Sequence, residues 1–360
     1  MIPVCRPDIS QKEIKWVNRA LKENRISSTG GFVELFEKEF AKKIGTKYAV
    51  ACNSGGSALF LALSVFGIKK GDEVIIPDFT MVATANAVKQ CGAKPVLVDA
   101  EFDTCNINPD LIEKKITKKT KAIIPVHLYG HPCQMDKIMK IARKHKLYVI
   151  EDAAEAHGAR FKGKLVGSIG DMGCFSFYAN KIITTGEGGA ITTNKLDLAQ
   201  KLNKLRAYYF SDEKHFWHAH IGFNFRMSSL EAAFGLGQLE RWEELIEKRR
   251  KNSEYYTAHL KKLIGTPIEK NYAYSVFWMY LIKVGKQRDK LMEYLQRNGV
   301  ETRTGFFPMH WQPIYKEKNS YPVSDILGKT TLYLPSASDL TKNEKDRVIK
   351  MVKKFYQENK

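Results

Sequence analysis

No apolar run in the 360-residue chain approaches the ~18 residues that a membrane-spanning helix needs. The opening stretch, MIPVCRPDISQKEIK, has neither a basic segment followed by an apolar one nor a small-residue cleavage site. A secretory signal is therefore not expected, and a cytoplasmic protein is. The six cysteines, Cys5, Cys52, Cys91, Cys105, Cys133 and Cys174, include no C-x-x-C pair. That spacing argues against a zinc ribbon, a redox dithiol or a disulfide framework and leaves small buried hydrophobes as the expectation, with no metal site. Acidic residues are scarce: 39 Asp+Glu against 58 Lys+Arg leave a formal charge of +19. Such an excess can mark a nucleic-acid binder. It is scattered, however, through helix-like segments around Lys114, Lys115, Lys118, Lys119 and Lys121, or Lys248, Arg249, Arg250 and Lys251, without a zinc-finger spacing, an RNP-like aromatic motif or a single basic arm. Hydrophobic residues at 44% and aromatics at 11% rule out a disordered chain.

Short β-branched runs alternate with amphipathic stretches as far as residue 195. Residues 48–52, 73–76, 94–99, 122–126, 147–150, 174–178 and 189–193 read as strands, and 57–63 and 134–145 as helices between them. This alternation predicts an α/β fold with a mostly parallel sheet covered on both faces. From Ser228 to Leu260 apolar residues recur at helical spacing without a proline, which predicts one long helix bridging two domains. A strand at 278–284, a helix at 288–298 closed by Gly299, and a final helix from Lys342 complete a smaller α+β unit. The expected domains are residues 1–240 and 241–360.

Open α/β sheets bind ligands beyond the carboxyl ends of their strands. Asp152 follows one predicted strand, and Lys181 follows another and precedes the TTGEGG turn at 184–189. A lysine held there is poorly solvated, and desolvation lowers an amine toward the range where it acts as a nucleophile. An amine and a carboxylate at neighbouring strand ends are what pyridoxal phosphate requires, one for the Schiff base and the other for the pyridine nitrogen. The plain alternative for Lys181 is a surface lysine in a hairpin. NSGGSAL at 53–59 joins a strand to an apolar helix, so the N–H groups of Gly55, Gly56 and Ser57 are expected free at a helix start that favours an anion.

These pieces, with PDFTMVAT (77–84), PVHLYG (125–130), EDAAEAHG (151–158), FSFYANK (175–181), TGEGG (185–189) and GFNFRM (222–227), resemble in order and spacing the DegT/StrS-type nucleotide-sugar aminotransferases. The resemblance implies the pyridoxal-phosphate transferase fold of type I, with a seven-stranded, mostly parallel sheet and a smaller C-terminal domain. It implies that Lys181 is the Schiff-base lysine and proton shuttle and Asp152 the partner of the pyridine nitrogen. It implies that Ser176 and the backbone at 55–57 bind the cofactor phosphate, and that Asn224 reaches the cofactor of the neighbouring subunit in an obligate homodimer. Arg25, Ser27, Ser28, Thr29 and His310 match regions that contact substrate in relatives. A loop reading is equally natural for the first four, and a core or hinge role for His310.

Three positions depart from the family pattern. Gly56 stands where many relatives have Thr, Met81 where an aromatic often stacks on the cofactor, and Glu155 where Gln is frequent near its phenolic oxygen. The FSFYANK-to-TGEGG block is most similar to perosamine-type 4-aminotransferases, implying transfer from L-glutamate to C4 of a nucleotide-linked 4-keto-6-deoxyhexose. A dTDP- or UDP-linked sugar, or transfer to C3, are the alternatives within the class. A nucleic-acid-binding protein on an idle aminotransferase scaffold is the alternative outside it.

Overall fold

The computed structural model describes all residues except 211–213, 215, 219 and 360. Its centre is a seven-stranded sheet. Strands β1 (Tyr48–Cys52), β2 (Glu73–Pro77), β3 (Lys94–Val98), β4 (Thr120–Ile123) and β5 (Tyr148–Asp152) are followed by a short hairpin, β6 (Arg160–Phe161) and β7 (Lys164–Leu165), then by β8 (Met172–Ser176) and β9 (Gly189–Thr193). The sheet order is β1-β9-β8-β5-β4-β2-β3. Strands β8, β5, β4, β2 and β3 are parallel neighbours, while β9 is antiparallel to both β8 and β1. Two reversals restore direction, so β1 runs with β8. Six carboxyl ends therefore open on one edge, where the crossover rule places a ligand.

Alternating side chains of these strands feed two faces. Val50, Ile76, Ile150, Cys174 and Ile191 pack with α3 (Gly55–Val65), α4 (Val82–Gln90) and α6 (Leu196–Arg206). On the other face Ile75, Ile123 and Val149 meet α5 (Met135–His145), while Ala51, Phe175 and Phe177 meet α2 (Phe32–Ile44) and α7 (Ser229–Leu239). α1 (Gln11–Lys22) lies on α7, and Gly237 is required there because a Cβ would stand 2.6 Å from the Glu13 backbone. The strand expected at 122–126 stops at Ile123. Pro125 has no N–H to continue the ladder and serves only as acceptor for Asp152.

The single helix expected from Ser228 to Leu260 is two, α7 and α8 (Trp242–Leu260), broken at Glu240 and Arg241. Arg241 leaves helical geometry at φ −108° and ψ 13°. Its guanidinium is held by Asp8 at 2.7 Å, Glu13 at 3.3 Å and Glu244 at 2.9 Å. α8 still spans two cores: Trp242, Leu245 and Ile246 join the sheet-side cluster, and Tyr256 and Leu260 a second one. That second core contains β11 (Tyr280–Lys283), β12 (Arg303–Thr304) and β13 (Thr331–Leu334), an antiparallel sheet of order β11-β13-β12 reached after the two-residue β10 (Ala273–Tyr274). α9 (Arg288–Arg297) and α11 (Lys342–Glu358) pack around it, whereas α10 (Pro322–Thr330) turns Leu327 and Val323 into the sheet-side cluster. The chain start returns here: Ile2 bridges Val300 in parallel and is buried in the same cluster.

All six cysteines are free thiols. Cys52, Cys105, Cys133 and Cys174 are buried as expected, whereas Cys5 and Cys91 are half-buried. Among the described residues no helix is long and apolar enough to cross a membrane, and no group of three metal-ligating side chains converges.

Candidate active site

Asp152 is the last residue of β5 and 5% exposed. Its Oδ2 accepts the hydroxyl of Thr84, on α4, at 2.8 Å, and its Oδ1 the N–H of Ala154 at 3.2 Å. Burial pushes the carboxyl above its usual range, against those two donors and the positive charge of Lys181. The strand end itself is fixed by a buried pair next door. Glu151 accepts the N–H groups of Gly167, Ile169 and Gly170 and lies 3.1 Å from His127 Nε2. The Cys133 N–H donates to His127 Nδ1, so the ring's own proton sits on Nε2 facing Glu151.

Lys181 sits in the turn beyond β8, its side chain 11% exposed. Its N–H donates to the Tyr178 carbonyl, while Phe177 and Thr185 close the loop through N–H bonds to Gly188 and Phe177. Burial lowers its amine below the usual lysine range, opposed by Glu155 and Asp152. Glu155 Oε1 is 3.9 Å from Nζ, and burial lifts that carboxyl to about 7.

The helix start is built differently from the expectation. Ser54 caps α3 and its Oγ accepts the Ser57 N–H at 3.1 Å, so Ser57 brings its hydroxyl rather than a free N–H. What remains for an anion are the first-turn N–H groups of Gly55 and Gly56. Gly55 must be glycine: a Cβ would lie 2.7 Å from the Ser176 Cβ, so Ser176 at the end of β8 closes on the helix terminus. Gly189 is equally constrained, 2.3 Å from the Ser54 carbonyl. Asn53 Oδ1 and Thr80 Oγ1 are buried without a hydrogen-bond partner along the same edge. Met81 is exposed at the start of α4, with Sδ 3.0 Å from the Ala83 N–H. The strand ends thus present a helix start with two free N–H groups, a buried carboxylate and a desolvated amine.

The other expected residues make the following contacts. Asn224 is exposed and pairs as an antiparallel bridge with Ala207. Arg25 donates to the Gly30 carbonyl at 2.7 Å, the Ser27 and Thr29 hydroxyls are 3.2 Å apart, and both their carbonyls accept from Ser229 on α7. Ser28 and Thr29 line a 280 Å³ cavity with Arg206 and Arg226. His310 lies between two carboxylates, Asp78 at 2.7 Å and Asp325 at 3.2 Å. Thr84, His127 and Tyr129 lie inside the motifs that carry the resemblance without having been given a role. Trp278, whose ring lies 3.9 Å from Lys181 Nζ, carries no sequence signal at all.

A helix start with free N–H groups, a strand-end carboxylate and a buried lysine lie on one sheet edge, an arrangement that fits pyridoxal phosphate. Residues 7–353 match the DegT/DnrJ/EryC1/StrS aminotransferase family, and the chain belongs to it. It is a pyridoxal-phosphate-dependent aminotransferase. It is 44% identical over 357 residues to GDP-perosamine synthase of Caulobacter vibrioides, covering 97% of this chain and 96% of that one. With GDP-perosamine synthase of Escherichia coli O157:H7 the identity is 39%, over 99% and 98% of the two chains. The structure of DesV from S. venezuelae superposes with a TM-score of 0.91 at 36% identity, covering 96% of this chain and 94% of that one.

Proposed function

We propose that the enzyme transfers an amino group from L-glutamate to C4 of GDP-4-keto-6-deoxymannose, forming GDP-perosamine. The observation that carries this reading is the near-full-length similarity to GDP-perosamine synthases from separate organisms. The cofactor, when bound, supplies the electron sink. Gly55, Gly56, Ser57 and Ser176 would hold its phosphate, Asp152 would keep the proton on its ring nitrogen, and Met81 and Glu155 would border the ring. Lys181 does the proton work. Its lowered pKa favours the unprotonated amine, so Nζ can take the Cα proton of glutamate and later return a proton to C4 of the sugar. One site serving two substrates in turn gives ping-pong kinetics. The six unpaired thiols support a cytoplasmic setting.

Glutamate with GDP-, dTDP- and UDP-linked keto sugars tests the acceptor, with mass spectrometry reading turnover and NMR the aminated carbon. The GDP sugar should lead in kcat/KM by about 10²-fold or more, the scale set by polar contacts to a base edge. Equal rates with the three nucleotides would refute GDP-perosamine formation, and amination at C3 would refute the C4 assignment. Neither outcome would touch the aminotransferase chemistry.

The enzyme works as a homodimer in which Asn224, exposed in the single chain, completes the partner's site. Equal mixing of Lys181→Ala and Asn224→Ala chains gives heterodimers with one doubly damaged and one intact site, so about a quarter of wild-type activity should return. Verified subunit exchange without recovery, or full activity of Asn224→Ala alone, would rule this out.

A further inference from the structure

The Lys181 ammonium has two close neighbours drawn from distant parts of the chain. Glu155 lies 3.9 Å from Nζ, and the ring of Trp278, just ahead of β11, lies 3.9 Å from it by its centroid. One residue ties both down. The Tyr129 N–H donates to Glu155 Oε2 at 2.8 Å, and the Tyr129 carbonyl accepts the Trp278 N–H at 3.0 Å. Tyr129 does this at φ 52° and ψ 19°, a left-handed conformation that a bulky side chain keeps only when its surroundings enforce it. Its ring stacks on Phe306 at 5.4 Å and lies nearly parallel to Trp278 at 6.3 Å, and its hydroxyl accepts the Phe306 N–H at 3.3 Å.

Trp278 is also anchored at both ends. Its indole N–H donates at 2.8 Å to the carbonyl of Asn180, the residue before Lys181, and its own carbonyl accepts from the buried Arg249 at 2.8 Å. We propose that Trp278 is a positioning residue for the reacting amine, holding the free Lys181 ammonium on its ring face while its indole N–H fixes the turn from which Lys181 projects. The proposal rests on the reading of Lys181 as the reactive lysine. The groups that act on that amine are Glu155, Asp152, the Cys5 thiol and His157, a histidine kept neutral by burial with its pKa lowered to about 3. Glu155, lifted to about 7, is only partly ionised near neutrality, so its hold on the amine fades as pH falls. The Trp278 ring itself does not titrate, and its attraction for an ammonium strengthens where water is excluded.

The test is the pH dependence of Lys181 acetylation in the full-length chain freed of cofactor, followed by peptide mass spectrometry. Wild type is compared with Trp278→Leu and Trp278→Phe. Losing the ring should lower the midpoint by about one pH unit in Trp278→Leu, whereas Trp278→Phe, which keeps a ring face, should shift by less than half of that. Both variants lose the indole N–H, so kcat for the glutamate half-reaction should fall about tenfold with the KM for glutamate nearly unchanged. A wild-type midpoint in a folded Trp278→Leu chain overturns the proposal. If that chain does not fold, Trp278→Phe decides, and a wild-type kcat there overturns it. Borohydride reduction of the same chains with pyridoxal phosphate separates the two levels of inference. A label away from Lys181 would sink the reading of Lys181, while a label on Lys181 with unchanged midpoint and kcat would sink only the role of Trp278.

Discussion

Lys181→Ala should reduce turnover by on the order of 10⁴-fold or more while the fold survives. In the proposed reaction the amine moves the proton on either substrate: it lies in a turn closed by Phe177, Tyr178 and Gly188, and burial has weakened its hold on a proton. Nothing in the sheet depends on it. A buried amine whose pKa is depressed by folding opposes folding at every pH below its unfolded value, so its removal does not subtract stability near neutrality. The cofactor-free Lys181→Met chain, which keeps the aliphatic stem, should therefore melt no lower than wild type. Glu155 works weakly against this: without the neighbouring cation its carboxyl, now at about 7, is pushed further up, which costs the folded state a little at pH 7. In the wild type, borohydride with pyridoxal phosphate should attach the cofactor to the peptide that carries Lys181. Substantial turnover by Lys181→Ala, or a label on another lysine, would remove Lys181 from the centre of the reaction.

The parts of this architecture that could be read in advance are those whose causes are local. β1 and β9 match their expected limits at both ends because glycine and polar residues bound their apolar runs. Asp152 and Lys181 stand out because a charged residue at a strand end follows directly from the hydrophobic pattern. The break between α7 and α8 has no proline, and its fixing partners, Asp8 and Glu13, lie more than two hundred residues away. The same holds for Trp278 and Asn180, which sit 98 positions apart, and for Tyr129, whose left-handed backbone is not signalled by its residue type. The Ser57 N–H is different. Ser54 ahead of an apolar helix is a local capping signal, and it was legible that this serine would take the N–H three residues on.

Asp152→Asn should cost about 10²-fold or more in kcat, yet leave the cofactor-free protein at least as stable as wild type near neutrality. Both halves follow from one geometry. The carboxylate ends β5 at 5% exposure, steadied by Thr84 and the Ala154 N–H, with the His127–Glu151 pair fixing the neighbouring backbone. Burial raises its pKa, so the folded state binds the proton more tightly than the unfolded chain, and ionised Asp152 lowers stability progressively as pH rises above the unfolded value. An amide removes that penalty and can still fit: its oxygen accepts from Ala154, and its NH₂ donates to the Thr84 hydroxyl, which turns to accept. What the amide cannot supply is the negative charge that, in the proposed reaction, would keep a proton on the cofactor's ring nitrogen. Cofactor retention should change much less than kcat, because the phosphate contacts proposed at Gly55, Gly56, Ser57 and Ser176 and the proposed link to Lys181 would be untouched. Melting of the cofactor-free chains, cofactor titration and kcat measured on the same variant check the three statements separately. Near-normal kcat in Asp152→Asn and Asp152→Ala alike would reduce this carboxylate to a structural cap on α4 and the turn at Ala154.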